Sequence, residues 1–262
     1  MNQAVIVVPV YRPSLTAGEE ISLRHLQYYL GAYPRCIVHP CALKLQWPDF
    51  KKVAFPDDFF RSPATYNKLL LTKSFYGTFA DYEYMLIYQL DCLVFSSALA
   101  EWCTGEFDFV GAPILRDLNN PALGFSEWRN GGLSLRRISS FKKVLRSKSK
   151  VFSSAGESMA GRAGLARRLK AFCKTAVCKT GIWSDLKWCL RHYRLNEDIF
   201  WSQEARLFEP EFKVAGLNDA LRFAFECEPR LCFEMNGKQM PFGCHAWGRY
   251  DRSFWLPHLL KA

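Results

Sequence analysis

Runs of unbroken apolar residues alternate along this chain with segments whose apolar positions recur every three or four residues. Residues 3–10 (QAVIVVPV) are rich in β-branched side chains and stop at Pro9 and the turn residues behind it, as a strand buried on both faces does. Residues 16–30 carry helical periodicity, with Thr16 placed as N-cap and Glu19 three residues on. A short strand is expected near 36–39, and 64–80 (ATYNKLLLTKSFYGTFA) read as one helix. The stretch 84–88 (YMLIY) is the near-continuous run of a central strand; it halts at Gln89 and Asp91 and resumes over 93–95. Further strands are expected at 107–111 and 132–135, and helices at 138–147, 197–206 and 217–224. Strands alternating with helices predict an α/β sandwich, in which ligands gather beyond the carboxyl ends of the strands.

Charge divides the chain. Its formal net charge is +10, yet residues 136–194 hold 16 Lys or Arg against two acids, while the remainder holds 19 against 23. A mildly acidic body thus carries one basic, largely helical insert, 137–194, within what is expected to be a single domain over 1–262. Inside the insert, LARRLKAFCKTAVCKTGIW puts apolar residues on one helical face and Arg167, Arg168, Lys170 and Lys174 on the other. Such a helix, within 161–183, suits an anionic lipid surface. It equally suits an ordinary helix packing its apolar face on the body. Nucleic-acid binding fits the charge but finds no recognised motif, so no nucleic-acid partner is expected.

The opening MNQAVIVVPVYRP lacks a basic leader, and no stretch reaches the roughly 18 apolar residues of a membrane span. A cytoplasmic location follows, peripheral on the inner face of the membrane if the insert binds lipid. Ten cysteines without a single CxxC pair are expected to be free thiols.

Four places could carry chemistry. Asp91 ends an apolar run, where a carboxylate needs a cation or a partner; bonding to nearby backbone N–H groups is the alternative. Asn130, Gly131 and Gly132 place a loop without side chains before a strand, open to a ligand or simply a turn. In LNEDIFWSQ, Asn196 suits an N-cap, and Glu197 and Asp198 suit a helix start or a general base. His245 lies in the Gly-rich, aromatic PFGCHAWGRYD, as a structural imidazole or a metal ligand.

Taken together and in this order, YNKLLL, IYQLDCLVF, DFVGAP, NGGLSLR, NEDIFW and PFGCHAWGRYD resemble a bacterial family of GT-A glycosyltransferases whose individual substrates are mostly unassigned. The resemblance implies a GT-A-like, Rossmann-type sandwich with a mixed central sheet. It also implies Mn²⁺ or Mg²⁺ held by Asp91 and His245, and a nucleotide-sugar donor, favoured as UDP-linked, contacted by Val8, Pro9, Tyr11, Lys68, Gln89, Asp91, Gly131 and Gly132. Asp198 matches the catalytic base of inverting members, with Glu197 beside it as an acceptor-binding or backup carboxylate. The acceptor implied is a saccharide, lipid-linked as in surface polysaccharide synthesis. One departure stands out: Gln89 replaces the first acid of the usual Asp-x-Asp, and an amide cannot neutralise a cation. A sugar-phosphate nucleotidyltransferase is the rival enzyme, but VVPVYRPS lacks its Gly-rich phosphate loop. A non-catalytic nucleotide- or sugar-binding module is the other alternative.

Overall fold

The computed structural model describes residues 2–149 and 185–260. Its core is a six-stranded sheet in the order β3-β2-β1-β4-β7-β6. Four neighbours run parallel: β3 (Lys51–Phe55), β2 (Arg35–Pro40), β1 (Asn2–Pro9) and β4 (Tyr82–Tyr88). β7 (Phe125–Arg137) runs antiparallel to both β4 and β6 (Phe109–Leu115), so the sheet is mixed. Buried apolar clusters lie on both faces, Ile6, Val8, Leu86 and Tyr88 on one, Val5, Val7, Met85 and Ile87 on the other. This two-sided burial is why β1 and β4 read as continuous apolar runs rather than alternating ones.

Helices cover the sheet. α1 (Ala17–Leu30) starts with the expected capping box, in which Thr16 Oγ1 accepts from the Glu19 N–H and Glu19 accepts from the Thr16 N–H. The single helix expected over 64–80 is two, α2 (Pro63–Leu69) and α3 (Lys73–Thr78). Thr72 is extended and caps α3 by accepting from the Phe75 N–H, a break that apolar periodicity does not register. After α4 (Leu99–Trp102), α5 (Ile138–Arg146) and α6 (Asp185–His192) are the described flanks of the basic insert. The amphipathic segment 161–183 lies outside the described residues. The helix expected at 197–206 is α7, 197–208, with a π-helical stretch at Phe200–Glu204. It is followed by α8 (Leu217–Phe223), α9 (Pro229–Met235) and α10 (Arg252–Trp255).

Two further features shape the site. The register between β6 and β7 jumps from Gly111↔Ser134 to Pro113↔Arg129, so 130–133 stand opposite Ala112 alone and β7 bulges on its β6 side, while Leu133 still pairs with Tyr88 of β4. The Gly-Gly pair is therefore inside a 13-residue strand, not in a loop before a short one. Second, a small sheet joins β5 (Leu93–Val94), β9 (Gly243–Cys244) and β8 (Ala224–Phe225). Leu93 and Phe225 both pair with Cys244, β5 antiparallel and β8 parallel to β9. The residues before β5, after β8 and after β9 consequently meet at one end. Among the described residues no helix is long and apolar enough to cross a membrane, and eight cysteines are free thiols.

Candidate active site

β1 and β4 end side by side, and a cleft of about 710 Å³ opens beyond β4, joined to a smaller one of about 460 Å³ through shared walls at Pro63, Tyr66 and Gln89. This is the carboxyl edge of the sheet, where the α/β rule places ligands. The Gln89 N–H donates to the Gly132 carbonyl at 3.0 Å, so the chain leaving β4 and the bulge of β7 lie in contact. The Cys92 carbonyl accepts from Tyr88 Oη at 2.9 Å, which fixes the turn that presents Asp91.

The small sheet delivers two side chains to this turn, His245 and Glu226. His245 Nε2 lies 3.4 Å from Asp91 Oδ1 and 3.2 Å from Gln89 Oε1. Its Nδ1 lies 3.1 Å from Glu226 Oε1, an ion-pair contact too bent for a well-formed hydrogen bond. Burial opposes charge on this ring, but the two carboxylates outweigh it and raise its pKa to about 10. Burial likewise disfavours the Asp91 carboxylate, yet His245 holds it below the ordinary range, with the side chain still 52% exposed. Cys92 completes a group of metal-ligating type within 4.8 Å. Its thiol, however, is already engaged, donating to the Gly132 carbonyl at 3.4 Å, and burial pushes its pKa well up. What remains is one carboxylate, one amide oxygen and one imidazole, a donor set that suits Mn²⁺ better than a soft metal.

On the other side of the glycine pair stands a second cluster. Arg136, wholly buried, donates to both Glu197 oxygens at 2.7 and 3.0 Å, to Tyr76 Oη at 2.9 Å and to the Gly131 carbonyl at 3.3 Å. Burial raises the Glu197 pKa while Arg136 pulls it back. Asp198 accepts from the Gly131 N–H at 3.0 Å through Oδ2, and its Oδ1 is buried without a partner. Burial first, then the neighbouring Glu197, push Asp198 up to about 7. A β-carbon at Gly131 would press on Glu197 and Asp198, and one at Gly132 would run into the His245 ring. Both positions thus require glycine.

The remaining sequence-predicted residues divide. Pro9 and Tyr11 line the smaller cleft, alongside Phe60, Tyr66 and Asp91. Val8 does not: it is a fully buried core residue on the sheet face under α1. Lys68 does not either, because Pro63, Tyr66 and Asn67 of α2 and its C-cap Leu70 face the cleft and Lys68 is exposed elsewhere on the helix. Glu197 lines the cleft, but both its oxygens are taken by Arg136, so it is not a free second carboxylate. Asn196 occupies the expected cap position without a capping bond; its side chain accepts from Asn67 instead. Glu226 and Arg136 were missed. Glu226 sits in AFEC, an acid among buried apolar residues, the same signature that singled out Asp91 in QLDC.

Residues 49–245 match the model of a family described as "Protein of unknown function (DUF5672)", a span holding Asp91, the glycine pair, Asp198, Glu226 and His245. The chain belongs to this family. No curated protein matches it by sequence. Among solved structures it is similar to the galactosyltransferase LgtC in complex with donor and acceptor sugar analogs, with a TM-score of 0.48 and 14% identity over 98% of this chain and 97% of that one. It is also similar to a glycosyltransferase involved in the glycosylation of the major capsid of PBCV-1, with a TM-score of 0.46 and 9% identity over 98% of each chain. A third is the apo-form glycosyltransferase GlyE of Streptococcus pneumoniae TIGR4, with a TM-score of 0.46 and 12% identity over all of this chain and 61% of that one. As a member of the DUF5672 family, this chain carries the two clusters within the family's matched span.

Proposed function

We propose that this DUF5672 member is a GT-A-like glycosyltransferase that moves a sugar from a nucleotide-sugar donor, UDP-linked in our reading, to a saccharide hydroxyl with inversion. The observation that carries the reading is a pair of clusters flanking Gly131 and Gly132 at the carboxyl edge of a mixed sheet: a carboxylate–imidazole pair 3.4 Å apart on one side and an unpartnered buried carboxylate oxygen on the other. The smaller cleft, with Pro9, Tyr11, Phe60 and Tyr66, suits a nucleobase and ribose. The larger cleft suits the transferred sugar and its acceptor.

Asp91 and His245, with Gln89 beside them, would hold Mn²⁺ or Mg²⁺, and their spacing fits two neighbouring ligands of one cation. Bound there, the cation supplies Lewis-acid stabilisation of the departing diphosphate. Asp198 takes the acceptor proton: it is buried, its Oδ1 is unengaged, and a pKa of about 7 keeps it basic enough to act near neutrality. Its Oδ2 is fixed by the Gly131 N–H, which aims Oδ1. Glu197 and Arg136 do not touch the reacting atoms; they brace the bulge that presents both glycines.

The basic segment 136–194 adds a second part, contact with an anionic membrane surface that would hold a lipid-linked acceptor nearby. Co-sedimentation with anionic vesicles, lost in high salt, is the expected behaviour. Sedimentation that ignores salt counts against it.

The decisive test is a thermal-shift screen of nucleotide sugars with and without Mn²⁺, followed by donor hydrolysis for any hit. A ligand at about 100 times its Kd stabilises by roughly 2.7 kcal/mol. No cation-dependent shift from any nucleotide sugar would defeat the proposal, and stabilisation without hydrolysis or transfer would leave a binding module. Product stereochemistry then tests Asp198 directly, because retention of the donor's anomeric configuration is incompatible with its role as sole base.

A further inference from the structure

Glu226 is 7% exposed, and a carboxylate buried this deeply is normally satisfied on both oxygens. Here one oxygen contacts His245 Nδ1 at 3.1 Å and the other, Oε2, has no partner. The fold goes to some length to produce this. Glu226 directly follows β8, whose Phe225 carbonyl accepts the His245 N–H at 2.9 Å, so the two side chains leave adjacent parallel strands at the same level. The buried carboxylate therefore faces the imidazole.

The opposite edge of that ring faces Asp91 and Gln89. A ring nitrogen can bind a cation only through its lone pair, and a carboxylate 3.1 Å from the far nitrogen, though off the N–H axis, favours the proton on that side by charge and leaves Nε2 as the donor. The charge count points the same way. Two carboxylates beside a divalent cation would balance it, but this chain offers Asp91 and a neutral Gln89. A second carboxylate, Glu226, stands behind the ring, displaced by the width of one imidazole.

We propose that Glu226 is a positioning residue for the cation site: it holds His245 with Nε2 toward Asp91 and supplies through the ring the negative charge that Gln89 does not. The inference rests on the cation site of the transferase reading. It explains how a site with an amide at position 89 still favours a dication, and it makes positions 89 and 226 energetically coupled.

The test uses Mn²⁺ alone, titrated into the full chain, with free Mn²⁺ followed by electron paramagnetic resonance. Glu226→Gln should weaken binding by about 10- to 100-fold, the range for a lost carboxylate behind a metal-binding imidazole. Asp91→Asn should lose it altogether. Gln89→Asp should raise the affinity by a clearly larger factor in the Glu226→Gln chain than in the wild type, a coupling that a merely structural role for Glu226 would not give. If Glu226→Gln does not fold, Glu226→Asp keeps the charge but withdraws it from the ring, and weaker binding is again expected. Wild-type affinity in whichever variant folds, with binding still lost in Asp91→Asn, overturns the inference and leaves the transferase reading intact. If the wild-type chain takes up no Mn²⁺, the inference falls together with the cation site.

Discussion

Two carboxylate clusters sit on either side of Gly131–Gly132, and they solve the cost of a buried charge in opposite ways. Around Arg136 the charge is closed off: two guanidinium bonds to Glu197, one to Tyr76 and one to the Gly131 carbonyl leave that pair internally complete. Around His245 it is left open, because Asp91 is half exposed and Glu226 keeps an unpartnered oxygen. Asp198 belongs in sequence to the closed cluster but behaves as the open one does, with Oδ1 unengaged. Paired groups build the wall, and unpaired ones face the cleft. Glu197 and Asp198 are adjacent in sequence and nearly identical in chemistry, yet only the second keeps an oxygen without a partner.

Breaking the closed cluster should have the largest effect. Arg136→Met leaves Glu197 buried without its partner, a change that typically costs about 3–5 kcal/mol. Urea unfolding should show that loss, and adding Glu197→Gln should recover part of it. If Arg136→Met is as stable as the wild type, the pair is not what holds the bulge.

Asp198→Asn sharpens the contrast, because it should damage activity and improve stability together. Removing a general base lowers turnover by about 10²- to 10⁴-fold. The carboxylate's raised pKa means that folding favours its protonated form. Its stabilising contribution is therefore complete below the ordinary Asp range and is lost as pH rises through about 7. At pH 8 the native state bears a buried, half-paired charge, which Asn removes. The melting temperature should then rise by about 2–4 °C for each kcal/mol recovered. Over the same range kcat/KM of the wild type should fall about tenfold per pH unit below 7, as the base takes up its proton. A variant that keeps wild-type turnover, or a profile flat between pH 5 and 8, removes Asp198 from the chemistry.

Asp91 and His245 of the open cluster were legible in the sequence, whereas of the closed one only Glu197 was, without its pairing to Arg136. Asp91 and His245 stand out because each polar group interrupts an apolar or Gly-rich stretch, and interruptions are visible in one dimension. Arg136 is hidden by its neighbours: in LRRIS, ahead of a basic segment, it counts as one more solvated base, although it is wholly buried. Its partner lies 61 residues away, and no local pattern announces a pairing of that range. The bulge of β7 was missed for a related reason. Its extra residues are defined by the strand opposite, so Asn130–Gly131–Gly132 alone read as a turn.

Lys68 marks the edge of the comparison and should give the smallest effect. The resemblance implies a donor contact for Lys68, but helical geometry decides which side of α2 meets the cleft. Pro63, Tyr66, Asn67 and Leu70 follow the three- and four-residue spacing of one face, and Lys68 falls outside it. Its ammonium group is then a solvated surface charge, for which truncation costs less than about 0.5 kcal/mol. Lys68→Ala should leave the donor KM, turnover and melting temperature at wild-type values. A several-fold rise in donor KM would mean that α2 turns or shifts when the nucleotide binds, bringing this second face to the cleft, and the boundary between wall and working groups would then have to be redrawn around a moving helix.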